Sequence, residues 1–287
     1  MLSVYKRELK SYFASYTGYI FTAFMLLTTG VYSWYINYLN QSPEFEYILF
    51  NLNFIYLIAV PILTMKTISE ERRQKTDILL YSLPLSGTAI VFGKYFAQLT
   101  VLLIPTTVIC LYPLLLMMFG TISTLTCYST IFGFFLMGAA LIAVGMFVSS
   151  LTDNPTVAAI STFAVLFISY LSSIIANGMS TAAITSLLVF FVITLLIAAF
   201  VGYITKNSVF AIMTGTFLLL VLTAVYLFFP ALFEGAVQKV FNSLSLFDRL
   251  SYFVTGIFDL SSVIYYLSVC ALFCFTTVQT VEKRRWS

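Results

Sequence analysis

Six charged side chains fall between Glu70 and Asp77 in a chain that is 9% charged: Glu70, Glu71, Arg72, Arg73, Lys75 and Asp77. Mixed signs at this density suit ion pairing with a water-soluble surface. They do not suit catalysis. The sequence has no histidine, which excludes imidazole acid–base chemistry and histidine-ligated metals. Gly87 and Gly93-Lys94 imitate a phosphate-binding loop, yet five residues separate the glycines where four are needed. Tyr95 also stands where a magnesium-binding Ser or Thr is required. Cys110, Cys127, Cys270 and Cys274 lie in or beside apolar segments and read as small packing residues. No catalytic or metal-binding residue is expected, and no nucleic-acid partner.

The charged stretch reads as a short helix. Ser69 suits an N-cap, with Glu70 and Glu71 in the first turn near the positive end of the helix dipole. Glu71 and Lys75 stand at i, i+4 in the favourable order. Ile78, Leu79, Leu80, Tyr81 and Leu83 then turn apolar, as in a helix lying on a bilayer, until Pro84 stops it. The expected element is residues 69–85, a docking helix for a soluble partner. The plainer alternative is a solvated loop whose cations only set topology.

The elements that must position this helix are membrane spans. Sixty-one per cent hydrophobic residues and a mean hydropathy of +1.01 predict an all-α polytopic membrane protein. About eight segments approach the roughly 20 apolar residues that a span needs: 18–38, 48–65, 95–119, 129–150, 157–176, 182–205, 209–229 and 260–280. With a cytoplasmic start, twelve cations fall inside and only Lys239 and Arg249 outside. Both termini and the 69–85 segment are therefore expected in the cytoplasm. The spans so drawn carry no charge in their interiors, unlike those of proton- or ion-coupled carriers.

Residues 1–17 set Lys6, Arg7 and Lys10 against an apolar stripe of Leu2, Tyr5, Leu9, Tyr12, Phe13 and Tyr16, predicting an amphipathic surface helix. Residues 231–259 alternate apolar and charged positions at helical spacing, as in one or two helices flat on the outer interface. These either cap an exit path or cover the bundle. Gly138, Gly145 and Ser149 give the fourth span a small-residue face for close helix packing. Pro105 and Pro113 should bend the third span, and Tyr32, Trp34, Tyr35 and Tyr38 read as an outer aromatic belt.

Four passages together resemble the membrane subunit of type-2 ABC exporters, in the permease branch that includes gliding-motility and nitrous-oxide-reductase maturation permeases. They are KRELKSYFASYTGYIF, ISEERRQKTDILLYSLPLSGTAIVFGKYFA, VGMFVSSLTDNPTVAAISTFAVLF and FDLSSVIYYLSVCALFCFTTVQTVEKRRW. The resemblance implies a single ABC-2 transmembrane domain over 1–287, of the type V exporter kind, in a bacterial inner membrane. It makes residues 1–17 an elbow helix bearing Lys6, Arg7 and Lys10. It makes 69–85 a coupling helix, in which Glu70, Glu71, Arg72, Arg73, Lys75 and Asp77 meet a separate ATPase. Asp153, Asn154 and Pro155 form a second cytoplasmic loop nearby. It also implies two ATPase subunits holding ATP and magnesium, a second permease copy or paralogue, and no cofactor on this chain. Residues 182–229 form an additional hairpin beyond the family's six spans, able to line a path or bind a further membrane or extracytoplasmic subunit.

Two functions remain in competition at this level. One is an exporter permease that couples ATP hydrolysis to movement of a substrate. The other is a scaffold that relays ATPase cycles to an external or membrane partner through 231–259 without moving a solute. A stand-alone carrier is disfavoured by the uncharged spans.

Overall fold

The computed structural model describes residues 1–39, 44–77, 86–118, 122–205 and 208–285. Among these, six helices are long and apolar enough to cross a membrane: Thr17–Leu39, Phe45–Arg73, Gly87–Leu116, Thr124–Leu151, Pro155–Gly178 and Leu260–Arg285. A seventh is counted if Ile212–Phe228 and Pro230–Leu244, which meet at 111°, form one broken span. The expected eight included both arms of the hairpin. The helix of its first arm runs Ala183–Thr205, and the second arm enters the bent pair.

Contacts divide the chain into two compact units, residues 1–168 with 246–287, and residues 169–245. In the first, α1 (Leu2–Ala14) is followed by α2 (Thr17–Ser33), which runs into a π-helical turn at Trp34–Leu39. Tyr16 joins α1 to α2 with φ at 59°, a left-handed corner. Next come α3 (Phe45–Leu52), α4 (Tyr56–Thr64) and the five-residue α5 (Ser69–Arg73). The third span is α6 (Gly87–Ile109) with α7 (Leu111–Leu116), carrying Pro105 and Pro113 respectively. Helices α8 (Thr124–Leu151), α9 (Pro155–Gly178), α13 (Leu250–Val254) and α14 (Leu260–Arg285) complete the unit, α9 passing on into the second.

Helix α8 is the hub. Helices α3, α4, α6, α13 and α14 all pack on it, because small residues let their backbones approach. A Cβ at Gly138 would lie 2.8 Å from Leu102 and Tyr56, and one at Gly145 would lie 2.4 Å from Thr64 Oγ1. The Tyr56 hydroxyl donates to Phe134 O at 3.2 Å, and Thr130 Oγ1 to Phe253 O at 3.1 Å. The expected packing face of α8 is thus occupied by α4 and α6.

Gly87 and Gly93 open α6 and serve the same purpose. A Cβ on Gly87 would meet Glu282 of α14 at 2.8 Å, and one on Gly93 would meet Val4 of α1 at 3.0 Å. These glycines admit helices, not phosphates.

The stretch 231–259 is divided between the units. Leu246, Phe247, Leu250, Phe253 and Val254 are buried in the first. Tyr266 donates its hydroxyl to Leu246 O at 2.9 Å, and the Arg249 guanidinium sits 3.9 Å from the Tyr265 ring centre. In the second unit, α10 (Ala183–Thr205) packs on α11 (Ser208–Phe228), followed by a 3-10 turn at Pro230–Phe233 and α12 (Ala236–Leu244). Phe233 fits between Phe190 and Tyr226, at 6.1 and 5.4 Å between ring centres. Gly235, at φ 64°, donates its N–H to Thr181 O at 3.0 Å.

Candidate functional site

Charged groups far apart in sequence converge at one end of the first unit. Lys94 lies inside α6, seven residues past its start, and is 2% exposed. The sequence placed it at the edge of a span with an uncharged interior. In the structure α6 begins earlier, at Gly87, where Ser86 caps it by accepting the Ala89 N–H at 3.2 Å, so Lys94 is carried within the helix.

A buried ammonium needs acceptors, and Lys94 has three. Its Nζ is 2.9 Å from Glu71 Oε1, 3.1 Å from Glu8 Oε1 and 2.9 Å from Thr67 O. Arg7 Nη2 closes the cluster at 2.7 Å from both Glu8 and Glu71. Burial alone would raise the Glu8 carboxyl, but the charge and hydrogen bonds of Lys94 and Arg7 outweigh it and hold the group below its ordinary value. Burial likewise opposes the charge on Arg7, and Glu8 and Glu71 more than offset it.

One turn deeper along α6, Gln98 Nε2 donates to Thr67 Oγ1 at 2.6 Å and to the Tyr12 hydroxyl at 3.0 Å. Helix α1, the end of α4 and α6 are therefore joined by polar contacts as well as by packing. On α1, the side facing the protein carries Val4, Glu8 and Tyr12, whereas Leu2 and Tyr16 of the expected stripe are exposed. Lys6 and Lys10 are exposed as expected.

The short α5 is held from beneath by α8. Ser149 Oγ accepts the N–H groups of Ile68 and Ser69 at 3.3 Å, donors that a helix start leaves open. Ser69 is thus not the cap. It is buried as the first residue of α5, and its hydroxyl donates back to Met65 O in the turn that precedes the helix. Glu71 is turned to Arg7 and Lys94 rather than to Lys75, and Gln74 donates instead to Glu70 at 2.6 Å. Lys75, at φ 56°, ends the helix; Thr76 N–H returns to Glu71 O at 2.9 Å, the closing bond of a Schellman turn.

Of the six residues singled out in this stretch, only Arg73 and Lys75 are exposed. Glu70 and Glu71 are half-buried, and Arg72 and Asp77 are buried. Arg72 donates to Ser150 O and lies 3.9 Å from Asp153. The apolar half expected at 78–85 lies outside the described residues.

The second expected loop joins the same end. Asp153 takes Arg284 in a two-pronged contact at 2.7 and 3.3 Å, and that hydrogen bond holds its carboxyl below the ordinary aspartate value. Asn154 caps α9 by accepting the Thr156 N–H at 2.9 Å, and Pro155 is the first helical residue. The first and last helices therefore finish at the end that carries α5.

Sequence reasoning missed Glu8, Thr67 and Gln98, took Ser149 only as a packing residue, and took Lys94 only as a span boundary and part of a false phosphate loop. The available signal was Lys94 with Gln98 at i, i+4 in an otherwise apolar helix, and a lone carboxylate, Glu8, among the cations of α1. Among the described residues no cluster of side chains could hold a metal ion.

Residues 26–229, more than half of the chain, match the family described as ABC-2 family transporter protein. The chain belongs to this family. The match begins within α2 and runs through α11, so it takes in α5, α8 and the hairpin of the second unit. This ABC-2 protein matches no curated protein and no solved structure. Its family makes it a multi-pass membrane permease component of an ABC exporter, a transport subunit and not itself an enzyme. ABC-2 permeases work with ABC ATPase partners in the membrane.

Proposed function

We propose that this ABC-2 permease couples ATP hydrolysis by two separate ATPase subunits to export of a substrate, with the end carrying α5 in the cytoplasm of a bacterial inner membrane. ATP and magnesium belong to the ATPase. The permease dimerises with a second copy or a paralogue, in the branch of gliding-motility and nitrous-oxide-reductase maturation permeases. Residues 69–77 are the described part of the coupling element, α1 is the elbow helix, and Asp153–Pro155 forms the second inner loop.

One observation carries this reading. Helix α5 is braced on α8 by Arg72 and Ser149, and on α6 by Glu71, while Arg73 and Lys75 remain exposed. A push on such a turn is transmitted to the ends of two membrane helices. The test is co-purification in mild detergent with the ATPase subunits. Reversing the exposed pair, Arg73→Glu with Lys75→Glu, should release the ATPase while the permease keeps its melting temperature. Undiminished recovery of the ATPase would count against the assignment. Reversal of Arg72 would not discriminate, since this side chain is structural.

The scaffold reading draws support from the separate second unit, whose helix α11 exposes Ile212, Met213, Phe217 and Leu220. Loss of an additional membrane subunit on deletion of the hairpin, with ATPase association intact, would favour it.

A further inference from the structure

We infer that the first unit holds a phospholipid headgroup in a polar cavity between the elbow corner and the base of α4, with the phosphate at Lys66. This goes beyond the exporter assignment and does not depend on it. The cavity has a volume of about 440 Å³, within the roughly 300–1,000 Å³ of small-molecule sites. Ser11, Ser15 and Thr17 line it from the elbow side, and Lys66, Glu70 and Thr76 from the other, with the Lys94 cluster alongside. Hydroxyls and an ammonium suit a phosphate ester, whose oxygens accept from both.

Ion pairing singles out Lys66. Glu8 and Glu71 are matched by Arg7 and Lys94, and Glu70 accepts from Gln74. Lys66 is exposed and, among the described residues, has no carboxylate within ion-pairing distance. The lining balances overall, with Arg7, Lys66 and Lys94 against Glu8, Glu70 and Glu71, and Lys66 is its one cation with no carboxylate in contact among the described residues.

Apolar surface identifies the rest of the ligand. Ile58 and Ile62 stand four residues apart on one face of α4, and Lys66 follows four residues on, in the turn just past its end. Ile58 and Ile62 are 48% and 38% exposed, so an apolar track on the membrane-spanning part of the helix ends at the unmatched ammonium. Tyr16, between the cavity-lining Ser15 and Thr17, exposes 72% of its surface, an amphipathic ring suited to the interface. A track, an ammonium and a hydroxyl-lined cavity in that order match an acyl chain, a phosphate and a polar headgroup.

The experiment uses the full chain in dodecyl maltoside, with lipid retention read by native mass spectrometry and by thermal melting. Phosphatidylglycerol should bind saturably and raise the melting temperature. Lys66→Gln should weaken that binding about tenfold with an unchanged melting temperature in lipid-free detergent, and Lys66→Arg should retain it. Ile62→Ser, which leaves the cation in place, should weaken it too. Glycerol 1-phosphate and diacylglycerol should each fail to compete. Equal binding to Lys66→Gln would overturn the proposal. So would equal binding of glycerol 1-phosphate, which would make this a site for free phosphate esters, or of diacylglycerol, which would leave the headgroup without a role.

Discussion

Lys94 Nζ lies 2.9 Å from Glu71 Oε1, linking a buried position inside a membrane helix to the short turn that bears the exposed cations Arg73 and Lys75. Glu8 shares the same ammonium at 3.1 Å, so three elements meet at one charge.

Removing that charge strands two carboxylates with Arg7 alone. Lys94→Met should cost about 3 kcal/mol of stability, in the range of broken buried pairs. Glu8→Gln, which leaves Glu71 on the lysine, should cost about 1–2 kcal/mol. The double variant should lose less than the sum of the two, because the groups share one network. Chemical denaturation in detergent measures all three.

Ser149 is the sole acceptor described for the N–H groups of Ile68 and Ser69. Ser149→Ala should cost about 1–2 kcal/mol and accelerate hydrogen exchange at 68–73. Exchange confined to wild-type rates there would show that the cap does not hold α5.

Gly145 has no room for a methyl group, with Thr64 Oγ1 2.4 Å from its would-be Cβ. Gly145→Ala should cost about 1–3 kcal/mol by overpacking, and Thr64→Ala should restore part of it by emptying the clash. Thermal melting of the two single variants and the double reads this directly.

The carboxyls of Glu8 and Asp153 are both held below their ordinary values of 4.5 and 3.8. A group lowered on folding contributes stability above its ordinary value and loses it as the pH falls through the lowered one. Acidification below about pH 4.5 should therefore depress the melting temperature of the wild type more steeply than that of Glu8→Gln. Asp153→Asn should change the slope less, because its pair with Arg284 is exposed to solvent.

Much of this was legible in the sequence, for reasons that particular residues make plain. Hydropathy located six spans because burial in lipid demands long apolar runs. The small-residue face of Gly138, Gly145 and Ser149 foretold close packing on α8, and the cation count placed both ends of the chain with the charged turn. What failed was the reading of charge as surface. Arg72 and Asp77 are buried and Glu71 faces inward; Glu71 is neutralised by Arg7, 64 residues away, Lys94 by Glu8, 86 residues away, and Arg72 lies 3.9 Å from Asp153 on another loop. Local spacing carries no trace of such pairs. Ser69 looked like a cap for the same reason: its local rule was satisfied by Ser149, from a helix 80 residues on.

Gly87 and Gly93 seat Glu282 of the last helix and Val4 of the first on the opening turns of α6. Six residues of helix span about 9 Å, so the first and last helices are both seated on the opening turns of α6. Sequence order and spatial order are thereby decoupled: side chains from the first and last helices share one short stretch of a third.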